Sequence, residues 1–323
     1  MFAMACPTVE IPHQNGPPAP YDAAGMTGPT IATPDAAAAA AAASAARRTP
    51  HPFAWQGWRL SVPASWNAVK LEGDFAKGHA LLADLDGPRL GLRWQTVEAK
   101  RATRQALERV AREEVGTKAT RTVGDAVVYL DPEPPGRDIA VRWSLDSGRL
   151  IQIAYHARRR DDVLVGELLP SLADASAKDA RPWAVFDLAC AVPRELHLAS
   201  HRLNAGDLEL EFAGGRRFVN VRQVALAEIA LRRLPIAGWL AEPRRYRATE
   251  EPSPITIHAR DGRSMQGFIT SMRRRRRFFW SAATPAARVA LALHDLTRDR
   301  LLLVEAGDES LARDVAATVG CDV

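Results

Sequence analysis

The chain has 323 residues, of which 47% are hydrophobic and 25% charged; its formal net charge is +5 and its pI is about 9.4. This length allows two domains of ordinary size, and the composition excludes a largely disordered or membrane-embedded chain. The mildly basic charge is compatible with an acidic partner but does not require one.

The cysteines and the hydropathy pattern indicate the cellular compartment of the protein. Cys6, Cys190 and Cys321 are too few and too scattered for a disulfide framework or for paired metal ligands. The N-terminus lacks the basic segment and long apolar core of a secretory signal, and no apolar run approaches the roughly 18 residues that span a bilayer. We therefore expect a cytoplasmic protein in a reducing environment, without membrane association.

Residues 1–52 are rich in alanine, proline, glycine and threonine. Five prolines between Pro17 and Pro34 interrupt any regular element, and the alanine run 36–43 offers no side chain large enough to anchor a core. We predict that this segment is a disordered tail.

Residues 53–181 have the pattern of a first α+β unit. The predicted order is an alternating strand, a hairpin, an amphipathic helix, a further strand, a second hairpin and a closing helix, at residues 58–62, 79–96, 99–115, 126–130, 139–155 and 161–175. Trp55 precedes the first strand. It is predicted either to join the core, as most of the tryptophans should, or to be an exposed contact residue.

Residues 182–323 repeat that order. A strand, a hairpin, a helix, two single strands, a hairpin and a final helix are predicted at residues 186–192, 207–222, 223–241, 255–258, 266–271, 288–304 and 309–319. In the helix predicted for 223–241, Ala225, Leu226, Ile229 and Ala230 are expected to face a core. Asp308 is expected to cap the final helix.

This parallel has two explanations: chance recurrence of a common order, or tandem duplication, which we favour. Few residues align: Val62-Pro63 with Val192-Pro193, Gly78 with Gly206, and Arg93 with Arg222. The predicted fold class is α+β: two similar tandem domains, each an antiparallel sheet packed by two helices, around separate cores.

A short motif resembles the Mog1/PsbP-like fold group. It is an apolar strand that ends in Val-Pro and is followed by a large apolar residue, as in Trp58–Pro63 and then Trp66. The resemblance covers residues 53–323 as two copies. It implies an antiparallel sheet with helices on its faces, and a binding or assembly factor without transferable catalytic residues.

No signature of a nucleotide-binding loop, a zincin or a serine hydrolase occurs in the chain. His197 and His201 are the closest approach to a metal pair, but the segment is expected to be extended or irregular and no third ligand lies nearby. Adjacent carboxylates, such as Asp161 and Asp162, are explained by helix capping and solvation. We predict no catalytic residues, no metal site, no cofactor and no small-molecule substrate.

The one unusual local feature is a basic run followed by aromatic residues. Its candidate binding residues are Arg273, Arg274, Arg275, Arg276, Arg277 and Trp280. The guanidinium groups could hold phosphates while the aromatic rings stack on bases. The run could equally contact an acidic protein, or be a solvated loop whose aromatic residues enter the core.

Three hypotheses follow. The first is a non-catalytic cytoplasmic binding or assembly protein with a composite surface from two domains and an acidic protein partner. The second is a nucleic-acid-binding protein that uses Arg273–Arg277. The third is an enzyme with a dispersed site at the junction of the two halves, which a deep polar pocket there would favour and a filled apolar junction would disfavour.

Overall fold

Antiparallel strands make up most of the structure, a computed structural model. It describes residues 50–98, 103–115, 120–132, 135–144, 147–157, 162–174, 180–241, 246–274 and 289–320; inside this range only the backbone is described for 111, 114, 115, 241, 246, 247, 273 and 274. Residues 44–323 form one compact unit. The tail prediction for residues 1–52 lies outside the described residues except at Pro50–Pro52, which begin a strand.

The first half of the unit builds a seven-stranded sheet with the order β3-β4-β5-β9-β8-β7-β6. Its strands are β3 (Asn67–Gly73), β4 (Lys77–Asp84), β5 (Gly87–Thr96), β6 (Arg121–Val123), β7 (Ala126–Tyr129), β8 (Gly136–Ser144) and β9 (Arg149–Ala157). We call it the N-sheet.

The second half builds an eight-stranded sheet, the C-sheet, with the order β13-β14-β15-β20-β19-β18-β16, and β17 also pairs with β18. Its strands are β13 (His197–Asn204), β14 (Asp207–Gly214), β15 (Arg217–Ala225), β16 (Tyr246–Ala248), β17 (Ser253–His258), β18 (Ser264–Arg274), β19 (Val289–Asp295) and β20 (Arg300–Ala306).

A third, five-stranded sheet joins the halves, in the order β10-β2-β1-β11-β12. Its strands are β1 (Pro50–Trp55), β2 (Trp58–Pro63), β10 (Ala173–Asp174), β11 (Arg181–Val185) and β12 (Leu188–Val192). The hairpin β1–β2 comes from the first half and β11–β12 from the second, and they meet where Ala54 pairs with Ala184.

The helices are short. They are α1 (Arg104–Val115), a π-helical turn (Val163–Leu168) that continues into α2 (Leu169–Ser171), α3 (Ala227–Arg233), α4 (Ile236–Ala241) and α5 (Glu309–Ala316). As predicted, Asp308 caps the last helix, because its side chain accepts a 2.8 Å hydrogen bond from the Leu311 backbone N–H.

The predicted α+β class, with one sheet and two helices in each of two domains, is wrong. Three antiparallel sheets form the unit, and one of them takes strands from both halves. Segments predicted as long helices contribute strands instead. In 161–175 the helical part ends at Ser171 and β10 follows; in 223–241 the first three residues end β15. Sheet pairing satisfies these backbone groups where the apolar pattern alone favoured a helix.

The expectation of separate interiors is also wrong. One apolar cluster of buried side chains extends from Phe53 and Trp55 through Trp183 and Phe212 to Val319. Trp55 and Trp183 meet edge to face with ring centroids 5.2 Å apart, and Trp183 meets Phe212 at 4.9 Å. Trp55 is therefore a core residue at the junction, not an exposed contact.

The N-sheet and the C-sheet nevertheless share details beyond strand order. Each half passes from its joining hairpin into a turn at Val-Pro, in which the Pro63 carbonyl accepts from the Trp66 N–H and the Pro193 carbonyl accepts from the Leu196 N–H. Each next strand carries an extra residue at the same register, Val69 in β3 and Ala199 in β13. The two halves are thus built on one backbone plan.

Candidate interaction surface

The basic run predicted to bind a partner continues β18. Arg273 pairs in register with Arg247, and Arg274 pairs with Tyr246, at the edge formed by β16. Arg275, Arg276, Arg277 and Trp280 lie outside the described residues. The structure therefore places two of the six candidates on a strand end and does not describe the rest.

The two histidines considered as a metal pair lie on β13, on either side of its bulge. His197 pairs with Ala213, and His201 pairs with the buried Leu210. Because one extra residue reverses the alternation of side chains, His201 faces the core side, where its ring lies 5.3 Å from that of Trp55. Within the described ranges no group of three or more potential metal ligands comes together.

Helix α3 begins with residues that sequence periodicity assigned to the core but that lie at the surface. Leu226 adopts a left-handed backbone conformation, with φ 55°, directly after β15. Two hydrogen bonds then fix the helix start against the β19–β20 turn: Asp299 accepts from the Ala227 N–H through its carbonyl and from the Glu228 N–H through its side chain, at 3.2 and 2.8 Å.

This geometry leaves apolar side chains in solvent on both sides of that contact. Leu226 is 58% exposed, Ile229 50%, and Leu296, in the β19–β20 turn, 69%. Leu226 directly precedes the helix, and Ile229 lies in its first turn. We call Leu226, Ile229 and Leu296 the apolar platform.

A groove of about 510 Å³ lies between the helices and strands β17–β19. Its apolar walls include Leu231, Ile236, Pro254 and Phe268, and His294 supplies a polar group. The buried Nε2 of His294 has no hydrogen-bond partner among the described residues. The groove shares two segments with the apolar platform, because Leu231 lies on the same helix as Ile229 and His294 is two residues before Leu296.

Positive charge borders the platform. Arg232 and Arg233 are exposed in the last turn of α3, and neither makes an ion pair among the described residues. They follow Ile229 by three and four residues, which places them next to it on the helix surface. Glu228 is the acidic residue of the helix, in its first turn.

A second cavity, of about 440 Å³, lies between α1 and the end of the N-sheet. Its charged side chains already have partners. Arg142 donates to Asp125 at 2.7 Å, Arg104 donates to Glu108 at 3.2 Å, and Asp174 is ion-paired with Arg149. These groups are occupied in structural contacts, so this cavity is a weaker candidate than the groove beside α3.

The titratable groups with altered pKa values lie outside the groove. Burial lowers the pKa of His201, of His156 and of His79 from 6.5, and nearby arginine or lysine charges lower the last two further. Burial raises the pKa of Cys190 to about 12, so this thiol is an inert core group.

Comparison with known proteins gives no relative from which to assign a function. No protein-family model matches the chain, and no curated protein is significantly similar to it. In the part of the chain that the structure describes, no helix has the length and apolar character to cross a membrane.

Sequence reasoning missed the apolar platform. A helical period through 223–241 puts Leu226 and Ile229 on the same face as Ala225 and Ala230, which predicts burial. The helix instead starts at Ala227, and Ala227 is the residue of this helix that is buried. The sequence contains one indication of an unusual helix start: position 226, directly before Ala227 and Glu228, holds leucine instead of a residue that caps helices.

Proposed function

We propose that this is a non-catalytic cytoplasmic binding protein whose apolar platform and adjoining groove receive an acidic, amphipathic segment of a partner protein. The observation that carries the proposal is that Leu226, Ile229 and Leu296 are all exposed, on two segments that the hydrogen bonds of Asp299 join. Single exposed apolar residues are ordinary, but a group beside a groove is typical of an interaction site.

The energetics favour occupation of this surface. Covering a leucine or isoleucine side chain contributes roughly 1.5–3 kcal/mol when burial is complete. The groove adds concave apolar walls, which hold a side chain more tightly than a flat surface does. A carbonyl or carboxylate of the bound segment could also approach the unpaired imidazole of His294.

The charges support an acidic partner. Arg232 and Arg233 have no ion-pair partner among the described residues and lie next to Ile229, and the whole chain has a net charge of +5. Carboxylates on the segment would pair with them and would mainly speed association. The resemblance to the Mog1/PsbP-like group, whose members are mostly binding or assembly factors, favours the same class of function.

The junction of the halves disfavours a dispersed active site there. It is filled by Trp55, Trp183 and Phe212, all buried. Trp55 and Trp183 meet edge to face there, and Trp183 also meets Phe212, so the packing is aromatic rather than polar.

The proposal is tested with a displayed library of random 15-residue peptides selected on the wild-type protein. We expect selected peptides to combine aspartate or glutamate with leucine or phenylalanine at helical spacing. The triple variant Leu226→Ser, Ile229→Ser, Leu296→Ser should weaken their binding at least about tenfold, which corresponds to about 1.4 kcal/mol. Binding is measured by fluorescence anisotropy.

A matched control exists in the first half, because Val69 and Leu85 are also strongly exposed, at 59% and 96%. The double variant Val69→Ser, Leu85→Ser should bind the selected peptides as the wild type does. Selected peptides without acidic residues, or equal loss in both variants, would show that the platform is not the partner site.

A second candidate function is nucleic-acid binding through Arg273–Arg277 and Trp280. The register of β16 and β18 favours it, because Arg247 and Arg273 are direct cross-strand neighbours. Counterion release predicts that affinity for a single-stranded oligonucleotide falls steeply with salt. Serine at 273–277 should abolish binding; unchanged binding would remove this candidate.

A further inference from the structure

A second surface feature lies where the N-sheet meets the joining sheet, far in sequence from the apolar platform. The loop between β3 and β4 presents Phe75, and two guanidinium groups lie over its ring. The Cζ atom of Arg149 is 4.2 Å from the ring centroid, and that of Arg181 is 4.3 Å. The ring also lies against the β1–β2 turn, because a Cβ on Gly57 would be 2.9 Å from it.

The two guanidinium groups differ in how their charge is balanced. Arg149 is buried and is ion-paired with Asp174; it also donates to the carbonyls of Gln56 and Phe75, at 2.7 and 3.1 Å. Arg181 is half-buried, and its one polar contact among the described residues is a 3.1 Å hydrogen bond to Nδ1 of His197. No described carboxylate pairs with Arg181.

The surroundings of Arg181 make this imbalance costly. Burial lowers the pKa of Arg181, and the nearby positive charges of Arg149 and Arg194 lower it further. A half-buried cation without a counter-ion among the described residues is destabilising, and perturbed groups of this kind cluster at functional sites. Because His197 is exposed and Arg181 is half-exposed, an anion in solvent can reach the guanidinium.

The comparison of the two halves shows that this arrangement is not needed for the fold. In the second half the equivalent connection, from β13 to β14, is the short turn Ala205-Gly206. The β3–β4 connection has the same length, because Leu71 pairs with Ala80 as His201 pairs with Leu210, but it carries Phe75 where the second half has Ala205. Asp74 accepts backbone hydrogen bonds from Ala76 and Lys77 at 2.8 and 3.0 Å. The first half thus places an aromatic ring at a turn position where the shared backbone plan accommodates an alanine.

We propose that Arg181, with Phe75 and His197, forms a binding site for a small oxyanion, a phosphate or a carboxylate group. The free N–H groups of Arg181 offer the planar fork that such anions accept. Phe75 fixes the orientation of the guanidinium plane by stacking against it. His197 accepts a hydrogen bond from one terminal nitrogen of Arg181, which leaves the other N–H groups for the anion. The site is independent of the proposed partner surface.

The test is the thermal midpoint of the full chain in chloride, phosphate and succinate buffers of equal ionic strength. A bound anion at roughly ten times its Kd should raise the midpoint of the wild type by about 3 °C. The rise should be absent in Arg181→Met and reduced in Arg181→Lys, which keeps the charge but lacks the fork. A response to phosphate alone or to succinate alone identifies the anion.

The matched control is Arg216→Met, because Arg216 is also exposed and makes no ion pair among the described residues. This variant should respond to the anion as the wild type does. An equal rise in Arg181→Met would place the anion elsewhere and overturn the proposal, as would no response of the wild type to either anion. Should Arg181→Met not fold, titration calorimetry of the wild type and of Arg181→Lys gives the same comparison.

Discussion

The N-sheet and the C-sheet follow one backbone plan, but equivalent arginines in the two sheets lie in different surroundings. The arginine that opens β9, Arg149, and the arginine that opens β20, Arg300, both reach back to the turn of their own joining hairpin. Arg149 donates to the Gln56 carbonyl, and Arg300 donates to the Asp187 carboxylate at 2.5 Å. We call these two contacts, from the arginine at the start of a strand to the turn of the joining hairpin, the arginine ties. Their presence in both halves supports duplication, because chance recurrence of strand order would not reproduce it.

The surroundings of the two ties differ. The side chains of Arg149 and Asp174 are 0% and 5% exposed, whereas those of Arg300 and Asp187 are 26% and 37% exposed. The connections differ in side chains as well: the first half has Phe75 where the second half has Ala205, and the second half has exposed apolar residues at the start of α3. The common plan therefore carries stability, and the departures from it mark the candidate sites.

The largest expected effect compares the two ties. Asp174→Asn should lower the free energy of unfolding by about 3 kcal/mol or more, because it leaves the Arg149 charge buried and unpaired. Asp187→Asn should lower it by less than about 1 kcal/mol, because water screens the exposed pair. Urea denaturation measures both. Equal losses would show that the two ties are energetically equivalent and would break the comparison.

The next effect concerns the neighbouring cross-strand pair. In the N-sheet Gly78 pairs with Trp94, where the C-sheet has Leu208 opposite Gln223. A Cβ on Gly78 would lie 2.4 Å from both the Glu72 carbonyl oxygen and the Trp94 ring. Gly78→Ala should therefore cost about 2 kcal/mol of stability.

Gly91→Ala is the control for that change, because the nearest atom to its new Cβ is 3.8 Å away. It should change the free energy of unfolding by less than about 0.5 kcal/mol. If Gly78→Ala leaves the free energy of unfolding unchanged, Trp94 must be able to move away from the new methyl group. The N-sheet would then accept a side chain at this position, as the C-sheet does.

The apolar platform should contribute little to folding. The triple serine variant at 226, 229 and 296 should unfold within about 1 kcal/mol of the wild type, because these side chains are largely exposed already. Its retention on a hydrophobic-interaction column should fall more than that of Val69→Ser, Leu85→Ser. A large loss of stability would make the platform a structural feature and remove the contrast with the first half.

The smallest effect is a pH dependence at the edge strands. His201 in β13 occupies the position of Leu71 in β3, since they pair with Leu210 and Ala80. Burial lowers the pKa of His201 below 6.5 in the folded protein. As pH falls below about 6.5 the unfolded chain takes up this proton first, so stability decreases.

His201→Leu should flatten the decrease in stability between pH 7 and 5 without removing it, because His79 and His156 also have lowered pKa values. Denaturation midpoints across this range measure the slope. An unchanged slope would show that His201 does not titrate there, and that the two edge strands behave alike.

Local patterns predicted the paired strands better than the edge strands. The alternation in Trp58–Pro63 and the apolar runs in β19 and β20 correspond to buried strands. Strands β3 and β13 were missed, because one face of an edge strand meets solvent and the bulges at Val69 and Ala199 shift the alternation.

The candidate sites were the least predictable part. The basic run 273–277 is conspicuous in sequence, yet the platform and the oxyanion site depend on contacts between distant residues. Asp299 positions the start of α3 from 71 residues away, and Phe75 meets Arg181 across more than 100 residues. No local window contains both partners of either contact, so periodicity and spacing could not reveal them.

The sequence by itself determined four hairpins of the two large sheets, the repeated Val-Pro motif and the cap at Asp308, because these depend on neighbours within a few residues. Only the tertiary structure decided that the halves share one core and one joining sheet. It also decided which charges are paired and which apolar residues stay in solvent. Burial and charge balance are set by every element packed around a residue, and those elements come from distant parts of the chain.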